Sequence, residues 1–234
     1  MPTALVTGAT RGLGRALTTA IADRHWSLVI DARDPAVLAE TADSLRAAGA
    51  PEVRAVAGDI ADAGHRARLA AAVDEAGGLD LLVNNASTLG PSPQPQLSDY
   101  PLAELERVYS VNTLAPLALV QAVLPSLELA KGRIVNVTSD AAVEPYAGWG
   151  GYGSSKAALE QLTAILGAEL PHLRVYAFDP GDMRTQMHQD AFPGEDISDR
   201  PLPETVVPSL LRLVDERLPS GRFRAADLAA TVSA

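Results

Sequence analysis

Short apolar runs alternate with helical patterns along the whole chain, and this rhythm restricts the fold more than any other feature. The runs Ala4–Thr7, Ser27–Asp31, Val53–Ala57, Leu79–Val83, Arg133–Thr138 and Arg174–Phe178 lack the polar alternation of half-exposed strands. Strands of that kind belong to a parallel sheet covered on both faces. Between them, helical patterns cover Gly12–Arg24, Pro35–Ala47, Ala63–Glu75 and Tyr152–Leu170, with a long helix N-capped by Ser98 and running to about Leu129. A helix over Glu204–Leu218 and a short strand at Arg222–Ala225 close the series. The alternation predicts right-handed βαβ units in one α/β doubly wound parallel sheet of about seven strands, with helices on both faces. A single domain over residues 1–234 suits the length. Two stretches break the rhythm: a loop at Gly90–Gln96, and a longer irregular segment at about 186–203 that reads as a substrate loop.

Composition removes several function classes. The net charge of -10 and the absence of any Lys/Arg run argue against nucleic-acid binding. With no cysteine, disulfides, thiolate metal sites and a cysteine nucleophile are all excluded. His25, His65, His172 and His188 show no metal-ligand spacing, so no metal is expected. The N-terminus lacks a signal-peptide pattern and no window of 18 charge-free apolar residues stands out, so a cytoplasmic chain without a membrane span is expected.

Thr7-Gly8-Ala9-Thr10-Arg11-Gly12-Leu13-Gly14 follows the first strand and opens the first helix. Glycines there permit a sharp turn and let backbone N–H groups approach a pyrophosphate at a helix N-terminus. The spacing is G-x3-G-x-G, neither the general dinucleotide fingerprint nor a P-loop. The plain alternative is a tight strand–helix turn without a ligand. The second strand ends Asp31-Ala32-Arg33. An acid would accept the ribose 2′-OH of NAD, whereas an arginine would accept the 2′-phosphate of NADP. Arg11 offers a second guanidinium, and two can clamp a phosphate. NADP is therefore favoured over NAD, with surface arginines as the alternative and Asp31 as a rival reader of the ribose.

Tyr152-Gly153-Ser154-Ser155-Lys156 opens a helix and places a phenol and an ammonium on one face. Lowering a phenol from about 10 to about 7 requires roughly 4 kcal/mol in favour of phenolate. One cation at about 4 Å in an effective dielectric near 20 supplies about that much. The pair can serve as an acid–base for an alcohol or a carbonyl.

Taken together, the motifs resemble the short-chain dehydrogenase/reductase family in its Rossmann-only, Tyr-x-x-x-Lys branch. They occur in family order: Thr7–Gly14, Asp59-Ile60, Asn84-Asn85-Ala86, Asn112, Ser139, Tyr152/Lys156 and Pro180-Gly181, spanning residues 7 to 185. The resemblance implies an oxidoreductase moving hydride between NADP(H) and a small-molecule carbonyl or secondary alcohol. It implies that Tyr152 is the acid–base, that Lys156 assists it and binds the ribose, that Ser139 holds the substrate oxygen, and that Asn112 anchors a water. For the cofactor it implies Gly8, Thr10, Arg11, Gly12, Leu13, Gly14, Arg33, Asp59, Ile60, Asn85, Ala86, Ser87, Pro180, Gly181, Met183 and Thr185, together with Tyr152 and Lys156. A homodimer or tetramer is the implied assembly, through the long helix and the Tyr152–Leu170 helix. The rival class is a catalytically silent dinucleotide-sensing or interaction module on the same fold.

The chain departs from the family at Ser87, where a glycine is usual, and at its C-terminus, which reads Pro219-Ser220-Gly221-Arg222-Phe223. The second departure puts the usual tetramer contacts in doubt. Pro116 lies four residues after Asn112 and cannot donate to its carbonyl, so a kink is expected there, leaving that carbonyl open to a water. Met183, Met187, Phe192 and Ile197 could line an apolar pocket or simply pack the substrate loop down.

Overall fold

A computed structural model describes residues Met1–Ala230, so the last four positions of the expected domain lie outside the described residues. Seven parallel strands form one sheet in the order β3-β2-β1-β4-β5-β6-β7. They are β1 (Thr3–Val6), β2 (Ser27–Ala32), β3 (Val53–Ala57), β4 (Leu81–Asn84), β5 (Arg133–Val137), β6 (Arg174–Asp179) and β7 (Gly221–Arg224). The order reverses between β1 and β4, the switch point at which such sheets open a ligand crevice. Helices α1 (Gly12–Ala22), α2 (Pro35–Ala47), α3 (Ala63–Glu75), α4 (Leu102–Tyr109), α5 (Ala115–Ala130), α6 (Gly150–Glu169), α7 (Gln186–Ala191), α8 (Val207–Glu216) and α9 (Ala225–Ala230) complete the described chain.

Burial explains the apolar runs. Residues of β1, β2, β4, β5 and β6 are buried almost throughout. One face packs Val6, Ile30, Val83 and Phe178 with Leu17 of α1 and Leu210 of α8. The other packs Leu5, Val29, Leu82 and Ile134 with Leu69 of α3 and Leu119 and Val123 of α5. A strand points alternate residues to opposite faces, so each run feeds both layers.

Three expectations change. Ser98 is no N-cap: it lies in a 3-10 turn with its hydroxyl donating to Asp99, and α4 begins only after Pro101, whose fixed φ suits a helix start. The segment expected to be irregular contains α7, capped by Thr185, whose Oγ1 accepts from the His188 N–H at 3.2 Å. The helical stretch Leu102–Ala130 is long and apolar enough, by length and composition, to cross a membrane. Here Leu119, Val120, Val123 and Leu127 are instead buried against the sheet.

Candidate active site

The glycine turn is held from three sides. Gly8 adopts φ +67° and Gly12 +54°, conformations in which side chains are strained. A Cβ on Gly14 would overlap the Gly8 carbonyl oxygen and the Asn85 amide. That amide donates to the Thr7 and Gly8 carbonyls at 2.8 and 3.1 Å, and Thr7 Oγ1 accepts from the Asn85 and Ala86 N–H groups. From below, the Gly8 N–H donates to Asp31 Oδ1 at 2.7 Å. Asp31 is 2% exposed, and its Oδ2 lies 3.0 Å from His65 Nε2. His65 Nδ1 faces the Arg68 guanidinium, which can only donate, so Nε2 carries the proton toward Asp31. Asp31 is therefore committed to the turn, while Arg11 and Arg33 are exposed and in no ion pair among the described residues.

The catalytic candidates converge from β5, α6 and the segment joining α4 to α5. Ser139 follows β5 and Tyr152 lies in the first turn of α6. Lys156, 2% exposed, donates from Nζ to the Val137 carbonyl at 2.8 Å and lies 5.6 Å from the centre of the Tyr152 ring. Burial pulls Lys156 down to about 8, while Glu160 acts in the opposite direction. Burial raises the Tyr152 phenol strongly, and the Ser139 and Ser87 hydroxyls oppose that rise. The phenolate balance expected from the sequence is not met by these atoms: the ammonium lies over the ring, and desolvation dominates. Burial thus favours the neutral phenol.

Asn112 is fully buried. Its amide donates to the Thr88 carbonyl and to Ser155 Oγ, and its Oδ1 accepts from Ser87 Oγ and the Thr88 N–H. The expected kink takes the form of a π turn over Ser110–Leu114, in which the Ala115 N–H reaches back to the Ser110 carbonyl.

One cleft of about 800 Å³ joins these features. Arg11, Arg33, Asp59 and Ile60 line one end; Ser139, Tyr152 and Lys156 line the other, with Pro180, Gly181, Met183 and Thr185 along the wall. Gly8, Thr10, Gly12, Leu13, Asn85, Ala86 and Ser87 line it too. Of the sequence candidates, Asn112 and Gly14 stay outside the lining, acting from behind Thr88 and the turn. The substrate end is aromatic. Trp149 packs edge-on to Tyr152 at 5.9 Å and against Phe192 at 5.8 Å, with Leu89, Met187 and Ala191 in the same cluster. Phe192 thus supports the pocket from outside, and neither it nor Ile197 lines the cleft. The substrate loop is tied down where Ser92 Oγ donates to the Asp190 carbonyl at 2.6 Å. Sequence reading missed Leu89, which no motif marks, and the ties that Asp140 makes. Asp140 accepts from the Ser139 hydroxyl at 2.9 Å and from the Tyr146 hydroxyl at 3.0 Å.

The fold, the glycine turn and the Tyr–Lys–Ser corner define a dinucleotide-linked oxidoreductase. The chain belongs to the short chain dehydrogenase family, whose model matches residues 2–196. It is 35% identical to mouse (Mus musculus) sepiapterin reductase over 199 residues, covering 79% of this chain and 76% of that protein. It is 34% identical over 197 residues to a 3-oxoacyl-acyl-carrier-protein reductase of rhamnolipids biosynthesis from Pseudomonas aeruginosa, covering 79% and 73%. A Shigella flexneri chain solved complexed with NADP superposes with a TM-score of 0.90 at 28% identity, covering 96% of this chain and 97% of that one.

Proposed function

We propose that the protein uses NADPH to reduce a carbonyl carried by an apolar small molecule, and that the same groups serve the reverse oxidation of a secondary alcohol. The observation that carries this reading is one cleft running from two unpaired arginines to buried Tyr152 and Lys156, with half-buried Ser139 beside them. The residues suit a dinucleotide: Gly8 and Gly12, both at positive φ, line the cleft at the start of α1, and Arg11 and Arg33 flank the end where a 2′-phosphate would lie. The bound cofactor supplies hydride, which the protein cannot.

The remaining work falls to the chain. Ser139 would turn its single O–H from Asp140 to the carbonyl oxygen, and the protonated Tyr152 phenol delivers the proton to that oxygen as it gains charge. Lys156 places its cation beside the phenol, and hydrogen bonds left over from Val137 are available to a ribose. The Asn112 side chain is fully used in hydrogen bonds, so a relay water at this point would bind its main-chain carbonyl, to which Pro116 cannot donate. Trp149, Leu89 and Met187 favour an apolar or aromatic substrate body. Leu114, Leu129 and Ile165 are exposed on α5, α6 and the π turn between α4 and α5. They support a homodimer through those helices.

The test is a side-by-side fluorescence titration with NADPH and NADH, followed by a carbonyl panel with the tighter cofactor. NADPH preference and turnover of apolar ketones or aldehydes are expected. Binding without turnover across the panel would instead support a dinucleotide sensor.

A further inference from the structure

Lys156 is a buried cation whose hydrogen bond goes to a neutral carbonyl, so something must offset its desolvation if it is to stay charged. Glu160 lies one helical turn further along α6, on the same face. Its carboxylate is 15% exposed and is pinned from two strands. Oε1 accepts from Thr138 Oγ1 of the β5 end at 2.7 Å and from Arg222 Nε of β7 at 3.0 Å. Arg222 is itself fixed, since its second nitrogen donates to Asp179 Oδ2 at 2.9 Å and approaches the Ser139 carbonyl at 3.5 Å. Asp179 Oδ1 accepts from the Gly181 N–H, joining the network to the turn that lines the cleft.

We propose that Glu160, clamped by Thr138 and Arg222, is the positioning residue that keeps Lys156 protonated. This rests on the reading of Lys156 as the partner of Tyr152. The other groups around Lys156 do not do this work. Tyr152 is neutral when protonated, and the carboxylates of Asp140 (after β5) and Asp179 (end of β6) bear on the phenol. Asn112 reaches α6 only through Ser155. Glu160 is the charge that favours the protonated lysine against its burial. Arg222 opposes it, but one guanidinium is shared by the two carboxylates of Glu160 and Asp179, so the cluster keeps a net negative charge. The last strand thereby contributes to the catalytic corner through a residue in the stretch where this chain leaves the usual family ending.

The chain has two lysines, Lys131 and Lys156, and Lys131 is exposed. In protein carrying ¹³C-labelled lysine, each can be titrated separately by NMR without any turnover. Glu160→Gln is expected to lower the Lys156 midpoint by about one pH unit, a tenfold loss of proton affinity, and to leave Lys131 unmoved. Glu160→Asp keeps the charge and should restore most of the shift. If the single variant fails to fold, Glu160→Gln introduced into an Arg222→Gln background preserves a hydrogen-bonding pair, and the Lys156 midpoint should show the same fall relative to Arg222→Gln alone. An unchanged Lys156 midpoint when Glu160→Gln is introduced, in either background, overturns the proposal and leaves Glu160 a tie for β7. Absence of turnover in the wild type would remove the Tyr152 reading, while the titration would still judge Glu160.

Discussion

Asp31 and Arg33 stand two residues apart at the end of β2, and the sequence alone leaves both as readers of the ribose. The structure separates them by burial. Asp31 is enclosed beneath the glycine turn with both oxygens bonded, while Arg33 is exposed at the rim of the cleft. Arg33→Ala should therefore weaken NADPH binding by about 10- to 100-fold, the worth of a charge-assisted hydrogen bond, and leave NADH binding nearly unchanged; an equal loss for both cofactors would count against the assignment. Lys156 carries a second residue-scale prediction. Its folded value, about 8, lies below the ordinary lysine value. Between that value and about 10.4 the unfolded chain binds the proton that the native state has released, so this group adds stability as pH rises through that window. Lys156→Met should accordingly be more stable than the wild type at neutral pH, by on the order of 1–3 kcal/mol, and the gap should close toward pH ~10. Chemical denaturation at two pH values measures this; a gap that widens with pH would contradict it.

At the scale of elements, the sequence was most informative where local chemistry decides the structure. Buried strands read directly from their apolar runs, and the glycine turn from its spacing, because both are enforced by neighbours in the chain. What could not be read depends on distant partners. His65 carried no metal-ligand spacing and belongs to no motif, yet it is fully buried against Asp31, 34 positions away. Leu89, Asp140 and Arg222 join the site through packing and hydrogen bonds that no motif encodes. The π turn was visible only as a proline. His65→Leu should leave a buried carboxylate short of a partner, costing about 1–3 kcal/mol in thermal unfolding and loosening dinucleotide binding through Gly8. Full retention of both would show that the turn holds itself. Gly14→Ala should disrupt the same turn by direct overlap with the Gly8 carbonyl, and NADPH affinity should fall more than stability.

For the whole molecule, a seven-stranded sheet brings residues as far apart in the sequence as Gly8 and Thr185 to one edge. The βαβ order makes this possible, since parallel strands deliver all their C-terminal ends to the same side. The long α4–α5 stretch shows how a helix apolar enough for a membrane can be a core element, with Leu119, Val120, Val123 and Leu127 facing the sheet. Leu119→Ala should cost about 2–5 kcal/mol of stability, as a fully buried leucine would. The central claim is that this cleft reduces carbonyls through Tyr152, and comparing wild type with Tyr152→Phe tests it most directly. NADPH consumption with an accepted carbonyl should disappear in the variant while NADPH binding, followed by fluorescence, is retained. A variant that turns over at the wild-type rate would contradict the account.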